Sequence, residues 1–395
     1  VLAGVTTVTS VKVGAAVTIS ESGIEASGIG ITCANINGTQ IGGRRNIIIN
    51  GAMQVAQRGT SSTSAGYQTV DRFTTSMAGT DEACTFAQVD VASGTTPYTE
   101  GFRKAFKVTN GDQSSGAGAA DDLSVSQHIE GQNLAQSGWD YTSSSSFITL
   151  SFWVKSSVAQ TFFAGIRLYG DDQREFCFSY TVTADTWTKV VKSIPGAAGL
   201  TVVNSSAIGA FIQWPQWWGT NYTSSGRALD AWQIKNNASN YPDNTTDWYE
   251  TNDATWELTG VQLEVGSQAT PFEHLGFGEE LSLCRRYYYR ESIENTEYFN
   301  GLGKADSDGN SIDLNLRFPV RMRITPTALE QAGAGTNYLI RGSSTLQCTG
   351  VPTYGDATQE SATVRFTRSS HGVSTNNVAN CGAWGASFLG FSAEL

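Results

Sequence analysis

The chain has 395 residues, with 42 Gly, 8 Pro, 11% aromatic and 15% charged residues, and a formal net charge of −11. Few charges and many small and aromatic residues favour short strands joined by turns over a helical protein, and the length allows two or three domains. An acidic chain without Lys and Arg clusters argues against nucleic acid and against docking on anionic lipid. No apolar run reaches the ~20 residues that span a bilayer, so we expect no membrane insertion.

Residues 1–45 form an N-terminal segment with its own composition. The run VTTVTSVKVGAAVTIS alternates β-branched and small residues, and the remainder is rich in Gly with isolated Ile. Such a segment has too little apolar surface to close a core alone, but identical copies wrapped together would bury the apolar face of each strand. We predict an extended oligomerisation stalk, with a linker in a single chain as the alternative.

Residues 46–283 are predicted to form an antiparallel jelly-roll β-sandwich. Short apolar runs recur between clusters of Gly, Ser, Asn and Asp, without helices between them, which is typical of a two-sheet all-β domain. The predicted strands are Asn46–Val55, Gln68–Thr75, Cys84–Val91, Ala105–Val108, Ser124–Ile129, Phe147–Val154, Thr161–Leu168, Glu175–Val182, Thr188–Ile194, Ala210–Trp214 and Trp256–Val265.

A short helix and a smaller β-domain follow the sandwich. Leu281, Cys284 and Tyr288 recur at helical spacing, which predicts a helix over Leu281–Arg290. Residues 284–395 are predicted as a C-terminal β-domain. Its predicted strands are Ser311–Phe318, Thr336–Arg341, Ala362–Arg368 and Ala383–Phe391.

Several sequence blocks occur in a fixed order along the chain. They are Asn46–Gly59 (NIIINGAMQVAQRG), Asp71–Phe73, then Gln127, Ile129 and Glu130, Phe147–Lys155 (FITLSFWVK), Asp185–Gly196, Trp256–Tyr289, Phe318–Ala328 and Phe391–Leu395. In this order the blocks resemble distal tail fibre and appendage proteins of tailed bacteriophages, which carry a β-sandwich similar to carbohydrate-binding modules. The aromatic insert QWPQWWGTNY departs from the pattern of that family, so no binding detail is carried over to it.

This resemblance implies a non-enzymatic structural protein of the virion, assembled in the host cytoplasm and exposed on the particle surface. It implies a homotrimer that contacts other virion proteins through its N-terminal segment and binds host surface polysaccharide for attachment. An architectural virion protein without receptor binding, such as a head decoration or a tail adaptor, is one alternative. A polysaccharide depolymerase with paired carboxylates is the other.

An aromatic cluster is the candidate glycan-binding site. Sugar rings stack their C–H faces on exposed aromatic rings, while Asn, Asp and Gln bind the hydroxyls. The candidate residues are Trp214, Trp217, Trp218, Tyr222, Trp248 and Tyr249. The alternative is that these side chains belong to the core or to an interface between protomers.

Residues suited to catalysis give little support for an enzyme. The three histidines, at 128, 274 and 371, lie outside any GxSxG-like context, and we predict no catalytic residues. The adjacent pairs Asp121–Asp122, Asp171–Asp172 and Glu279–Glu280 keep the depolymerase alternative open, although neighbouring residues on a strand point to opposite faces.

Metal and cofactor binding is not expected. The six cysteines, at 33, 84, 177, 284, 348 and 381, lack CxxC spacing, so we predict free thiols and no metal-thiolate site. A structural calcium ion is the one cofactor left open, with oxygen ligands from Asp171–Asp172 and Asp243–Asp247.

Overall fold

The computed structural model describes residues 44–293, 298–307 and 309–395 together with four short strands earlier in the chain. Strand β1 pairs with β2 and β3 with β4, both antiparallel. Apart from these strands and Arg44–Arg45, the predicted stalk lies outside the described residues, and it stays a prediction. The four strands are β1 (Val17–Ser20), β2 (Gly23–Ala26), β3 (Asn35–Ile36) and β4 (Thr39–Gln40).

Twelve strands then build two six-stranded sheets, with two short helices, α1 (Thr96–Thr99) and α2 (Gly131–Ala135), between them. The strands are β5 (Ser61–Ser62), β6 (Phe73–Ala78), β7 (Thr85–Asp90), β8 (Lys104–Thr109), β9 (Asp122–Glu130), β10 (Phe147–Ser156), β11 (Gln160–Leu168), β12 (Arg174–Val182), β13 (Thr188–Pro195), β14 (Ile208–Trp218), β15 (Trp232–Ile234) and β16 (Thr255–Val265). The first sheet has the order β13-β10-β16-β8-β7-β5 and the second β15-β12-β11-β14-β9-β6. Neighbouring strands are antiparallel, which confirms the predicted all-β sandwich.

The main core lies between these two sheets. Alternation along β11 shows how the sequence produces it: Phe162, Ala164, Ile166 and Leu168 are at most 1% exposed, whereas Arg167 points outward. Full burial of a large apolar side chain stabilises the fold by about 1.5–3 kcal/mol, so such rows hold the sheets together. On the outward face of the second sheet, Phe163 and Cys177 form a small separate cluster with Tyr241.

The prediction of a strand at Asn46–Val55 is wrong, because this segment forms turns. The Asn50 side chain explains the difference: its Nδ2 donates to the Val55 and Asp71 carbonyl oxygens at 2.9 Å, and its Oδ1 accepts from Val55 N at 3.0 Å. Asn50 and Met53 both have positive φ, at 62° and 58°. The segment is buried and apolar, but side-chain hydrogen bonds replace a sheet ladder.

The predicted helix exists but lies earlier in the chain, as α3 (Phe277–Arg285). Tyr288–Ser292 forms strand β17, because it pairs with a strand near residue 390. This pairing is the reason why the helix ends before the tyrosines. The predicted domain boundary between Leu283 and Cys284 therefore falls inside α3. Among the described residues, none of the helices combines the length and apolarity needed to span a bilayer.

The C-terminal region has a second core and two further sheets. After β17 come β18 (Gly303–Ala305), β19 (Ser311–Arg317), β20 (Leu329–Gln331), β21 (Tyr338–Arg341), β22 (Thr345–Gln347), β23 (Thr353–Ala357), β24 (Ser361–Thr367), β25 (Val378–Ala383) and β26 (Phe388–Ser392). Their sheet orders are β22-β21-β25-β18-β19-β24-β23 and β17-β26-β20. The prediction at Ser311–Phe318 matches β19 closely. The predicted strand Ala383–Phe391 is instead divided between the end of β25 and β26, with a turn between them.

Charged contacts join the C-terminal residues to the sandwich. Arg72, 1% exposed, forms an ion pair with Glu394. Arg323 donates from Nη1 to the Ser206 carbonyl oxygen and from Nε to the Ala393 carbonyl oxygen, both at 2.7 Å. A buried guanidinium needs such partners, because an unpaired buried charge costs several kcal/mol, about 3–5. The last residues of the chain are thus fixed against the sandwich.

The cysteines that the structure describes are buried free thiols, as the sequence predicts: Cys84, Cys177, Cys284, Cys348 and Cys381. Burial raises the pKa of Cys84 to about 11 and that of Cys177 to about 12. The sixth predicted thiol, Cys33, lies outside the described residues.

Candidate functional site

Four of the six predicted glycan-binding aromatics lie in the interior. Trp214 and Trp248 are 0% exposed, Tyr249 is 1% and Trp217 is 5%. Trp214 lies between the sheets, with its ring centroid 5.7 Å from that of Phe152. A buried ring cannot stack on a sugar. The predicted glycan-binding role is therefore wrong for these four residues, which belong to the core.

A bulge in β14 explains why two tryptophans three residues apart both point inward. The register between β14 and β9 shifts between Pro215 and Trp217. Simple alternation from Trp214 would send Trp217 outward, but one extra residue reverses the faces. Trp217 therefore stacks inside on Tyr249, at 5.2 Å between centroids, and Trp218 takes the outward position.

The two remaining candidates, Trp218 and Tyr222, are half-buried and line one cleft on the outward face of the second sheet. Their rings meet edge-on at 5.9 Å between centroids. The cleft has a volume of about 360 Å³, within the range of small-molecule sites. It is lined by Asp122, Arg167, Trp218, Tyr222, Asn237 and Asn240.

Strand register and one returning loop bring these residues together. Asp122 at the start of β9 lies directly opposite Trp218 at the end of β14. The loop after β14 turns back over the sheet, where Asn240 N donates to the Tyr222 carbonyl oxygen at 2.8 Å. Tyr241 then packs over β11 at Gly165, where an added Cβ would lie 3.0 Å from the Tyr241 hydroxyl. Glycine at this position is what lets the loop approach the sheet.

Arg167 is held in position by the groups around it. It forms an ion pair with Glu175, donates from Nη2 to Asn240 Oδ1 at 3.1 Å, and lies 4.6 Å from the centre of the Phe211 ring. Glu175 also binds Arg227 at 2.9 Å. Burial raises the pKa of Glu175, and the two guanidinium groups oppose that rise. Arg167 Nη1 has no partner among the described residues, so it is free to bind a ligand.

Other polar atoms of the cleft are also free to bind. Asp122 uses Oδ2 to accept a hydrogen bond from Ser76, which leaves Oδ1. Burial, and then the nearby Asp121, raise the pKa of Asp122. The Tyr222 hydroxyl and the Asn237 amide nitrogen have no partner among the described residues. Donors, acceptors and an aromatic wall in one cleft are the combination that binds a ring bearing several hydroxyls.

Sequence reasoning identified Trp218 and Tyr222 but missed the other four residues of the cleft. The Asn-rich stretch around Asn237 and Asn240 was a usable signal, because amides beside aromatic residues are typical of glycan sites. Arg167 could have been noticed as a charge in an otherwise apolar strand. Asp122 was noted only as half of an adjacent carboxylate pair, and its place in the cleft follows from the pairing of β9 with β14.

The adjacent carboxylates do not form a shared catalytic site in the cleft. Asp121 accepts hydrogen bonds from the Tyr249 hydroxyl at 3.1 Å and from Gly118 N at 2.6 Å, while Asp122 lines the cleft. Within the described parts of the chain, no group of three or more His, Cys, Asp or Glu residues could hold a metal ion. Calcium binding by Asp171–Asp172 or Asp243–Asp247 stays a prediction.

Comparisons with known proteins find solved structures that are similar to part of this chain, at low sequence identity. No protein-family model and no curated protein matches the sequence. A solved structure from Bacteroides thetaiotaomicron, described as a candidate sugar-binding protein, has 12% identity and a TM-score of 0.31 and covers 56% of this chain and 99% of that one. The N-terminal cellulose-binding domain of Cellulomonas fimi β-1,4-glucanase C has 14% identity and a TM-score of 0.25, covering 55% and 99%.

A xylan-binding domain of the CBM22-1 type from Paenibacillus barcinonensis is similar at 10% identity and a TM-score of 0.25, covering 53% of this chain and 94% of that one. Each similarity concerns a little over half of this chain. At these values the ligands of those proteins are not transferred to it.

Proposed function

We propose that the chain binds glycans through the cleft lined by Trp218, Tyr222 and Arg167. The observation that carries this proposal is that the cleft joins two aromatic side chains to free donor and acceptor atoms from the sheet and from the loop that returns over it. A sugar ring requires an apolar face and several directed hydrogen bonds at once. One carboxylate, Asp122, lines the cleft, which favours binding over hydrolysis by a carboxylate pair.

We further propose that this binding serves attachment of a tailed bacteriophage to its host, with the chain as a fibre or appendage subunit on the virion surface. The ordered sequence blocks from Asn46 to Leu395 support this part of the proposal. Self-association as a homotrimer, and contact with other virion proteins through residues 1–45, belong to the same proposal. Single sites of millimolar affinity would suffice, because linked sites raise avidity by about 10² to 10⁴.

Binding to immobilised bacterial surface polysaccharides and to intact cells tests the proposal. We expect the purified chain to bind, and the double variant Tyr222→Ala/Asn237→Ala to lose at least about tenfold in affinity, the effect of about 1.4 kcal/mol. Tyr98→Ala is the matched control, since this half-buried tyrosine lies in α1, which packs on the outward face of the other sheet. Equal binding by the parent and the double variant would show that the cleft is not the glycan-binding site.

A reducing-end assay on the bound polysaccharide separates binding from depolymerisation. We expect no release of new reducing ends over hours of incubation. Sustained release that a change at Asp122 abolishes would make the chain an enzyme. Binding to virion components alone, with no attachment to cells or glycans, would favour the architectural alternative.

A further inference from the structure

The charges around the cleft are distributed unevenly. Arg167, Arg227 and Lys235 lie on the side formed by β11, β12 and the returning loop, and Glu175 is the carboxylate among them. This group carries three positive charges and one negative charge, in a chain whose net charge is −11. The local excess of positive charge is therefore a property of this site and not of the whole molecule.

Lys235 and Arg167 leave this positive charge available to a ligand. The Lys235 ammonium donates to Asn237 Oδ1 on the wall of the cleft, and no carboxylate among the described residues forms an ion pair with it. Burial lowers the pKa of Lys235, and the positive charge of Arg167 lowers it further, against the opposing effect of Glu175. Two cations that repel each other at a partly desolvated rim are stabilised by an anion placed between them.

Asp122 does not prevent an anion from binding at the end of the cleft near Arg167. Its strand, β9, is separated from the Arg167 strand, β11, by β14, so the two backbones are roughly 10 Å apart. The cleft thus has a cationic end and an acceptor end. A sugar could present an acidic group to the first and hydroxyls to the second.

We infer that the glycan bound in this cleft is acidic, with a carboxylate on the sugar unit that contacts Arg167 Nη1 and Lys235. This inference rests on the proposed glycan-binding function and specifies its ligand class. Arg167 is a lining residue of the cleft, so we assign the closer contact with the carboxylate to its Nη1. Lys235 contributes charge from the rim and so determines the preference of acidic over neutral sugars.

Matched pairs of polymers test the inference. The probes are polygalacturonate, alginate and hyaluronan, each beside its carboxyl-reduced form, with neutral glucan, mannan and xylan alongside. We expect at least one carboxylated polymer to bind about tenfold or more tighter than its reduced form, and its binding to weaken between 50 and 300 mM NaCl as screening shortens the Debye length to below about 10 Å.

Two lysine variants make the test specific to the site. Lys235→Gln should weaken binding to the carboxylated polymer about two- to fivefold, as for one partly exposed ion pair, and leave the reduced form unchanged. Lys107→Gln is the control, because this half-buried lysine lies on β8 in the opposite sheet. Equal losses in the two variants would overturn the inference.

The outcomes distinguish this inference from the proposed function. If reduced or neutral polymers bind as tightly as the acidic ones, and Tyr222→Ala abolishes that binding, the acidic preference is wrong and glycan binding stands. If acidic polymers bind but neither Lys235→Gln nor Tyr222→Ala changes their affinity, they bind elsewhere, and the inference is overturned. Binding to no glycan in the panel overturns both.

Discussion

Trp214 and Trp218 are four residues apart on one strand, yet their side chains lie in different environments and have different roles. Trp214 is fully buried between the sheets, whereas Trp218 lines the outward cleft. We expect Trp214→Ala to lower the free energy of unfolding by about 3–5 kcal/mol, because it leaves a large cavity in the core. Trp218→Ala should cost about 1 kcal/mol.

Urea titration followed by circular dichroism measures both free energies of unfolding. The glycan affinity of the two folded variants is then compared with that of the parent. We expect Trp218→Ala to lose binding at a cost of only about 1 kcal/mol in stability, well below that of Trp214→Ala. Equal destabilisation by the two substitutions would show that the bulge in β14 does not place these side chains as described.

His128 makes the stability of the folded chain depend on pH. Its Nδ1 lies 3.0 Å from the Leu395 carbonyl oxygen and 3.1 Å from the Tyr67 hydroxyl. Burial is the largest cause that lowers its pKa, from 6.5 to about 4, and the charges of Arg72 and Arg167 lower it further. The unfolded chain therefore binds this proton more readily, so the stability linked to neutral His128 is complete above pH 6.5 and is lost as the pH falls towards 4.

We expect the stability of the parent, relative to His128→Gln, to fall by up to about 3 kcal/mol between pH 7 and pH 4. Asp71, whose pKa burial raises to about 6, acts in the opposite direction in both proteins and so cancels in the difference. Denaturant titrations at pH 7, 5.5 and 4 measure this difference. A difference that does not change with pH would contradict the buried, neutral state of His128.

Residue composition alone identified the aromatic cluster but could not distinguish its buried members from its exposed ones. Exposed and buried tryptophans have the same sequence signature when a bulge changes the face. Pro215 in the central strand β14 is compatible with a bulge, because proline cannot donate to the ladder, but it does not show which of the following tryptophans points outward. Tertiary pairing of β14 with β9 decides which rings are available.

At the scale of elements, strands with strong alternation were predicted well and segments governed by side-chain hydrogen bonds were not. The prediction at Thr161–Leu168 nearly coincides with β11, because its inward apolar row is regular. Asn46–Val55 has equally apolar residues, but Asn50 ties the backbone into turns. The helix was placed too far along the chain because Tyr288 fits the helical spacing while its backbone pairs with β26.

The loop that closes the cleft depends on a glycine in β11. In Gly165→Ala the new Cβ would lie 3.0 Å from both the Tyr241 hydroxyl and the Phe176 carbonyl oxygen, so the loop must shift. We expect a loss of about 1–3 kcal/mol in stability, together with weaker glycan binding.

Gly226→Ala is the control within the same loop. Its nearest neighbour to an added Cβ is Ser224 Oγ at 3.7 Å, an ordinary contact. Thermal unfolding and polysaccharide binding of both variants check the prediction. Unchanged binding in a folded Gly165→Ala protein would show that the loop does not set the shape of the cleft.

At the scale of the whole molecule, the sandwich and the C-terminal region are joined by charges that sequence order could not reveal. Arg72 and Glu394 are more than 300 residues apart, and only the fold shows that they pair. The sequence predicted a sandwich followed by a smaller C-terminal β-domain. It contained no information about the contacts between them.

We expect Glu394→Ala to lower the free energy of unfolding by about 3–5 kcal/mol, because it leaves the buried guanidinium of Arg72 without its carboxylate. Glu360→Ala, at an exposed position, should change stability by no more than about 0.5 kcal/mol. Calorimetry measures both losses. Similar small effects of the two substitutions would mean that the junction contributes little to stability.

Hydrogen exchange of the free and the glycan-saturated chain locates the bound glycan without a substitution. We expect slower exchange in peptides that contain Trp218–Tyr222 and Asn237–Asn240, with no change in α1 or β13 on the opposite sheet. Protection confined to the opposite sheet or to the C-terminal region would contradict the assignment of glycan binding to this cleft.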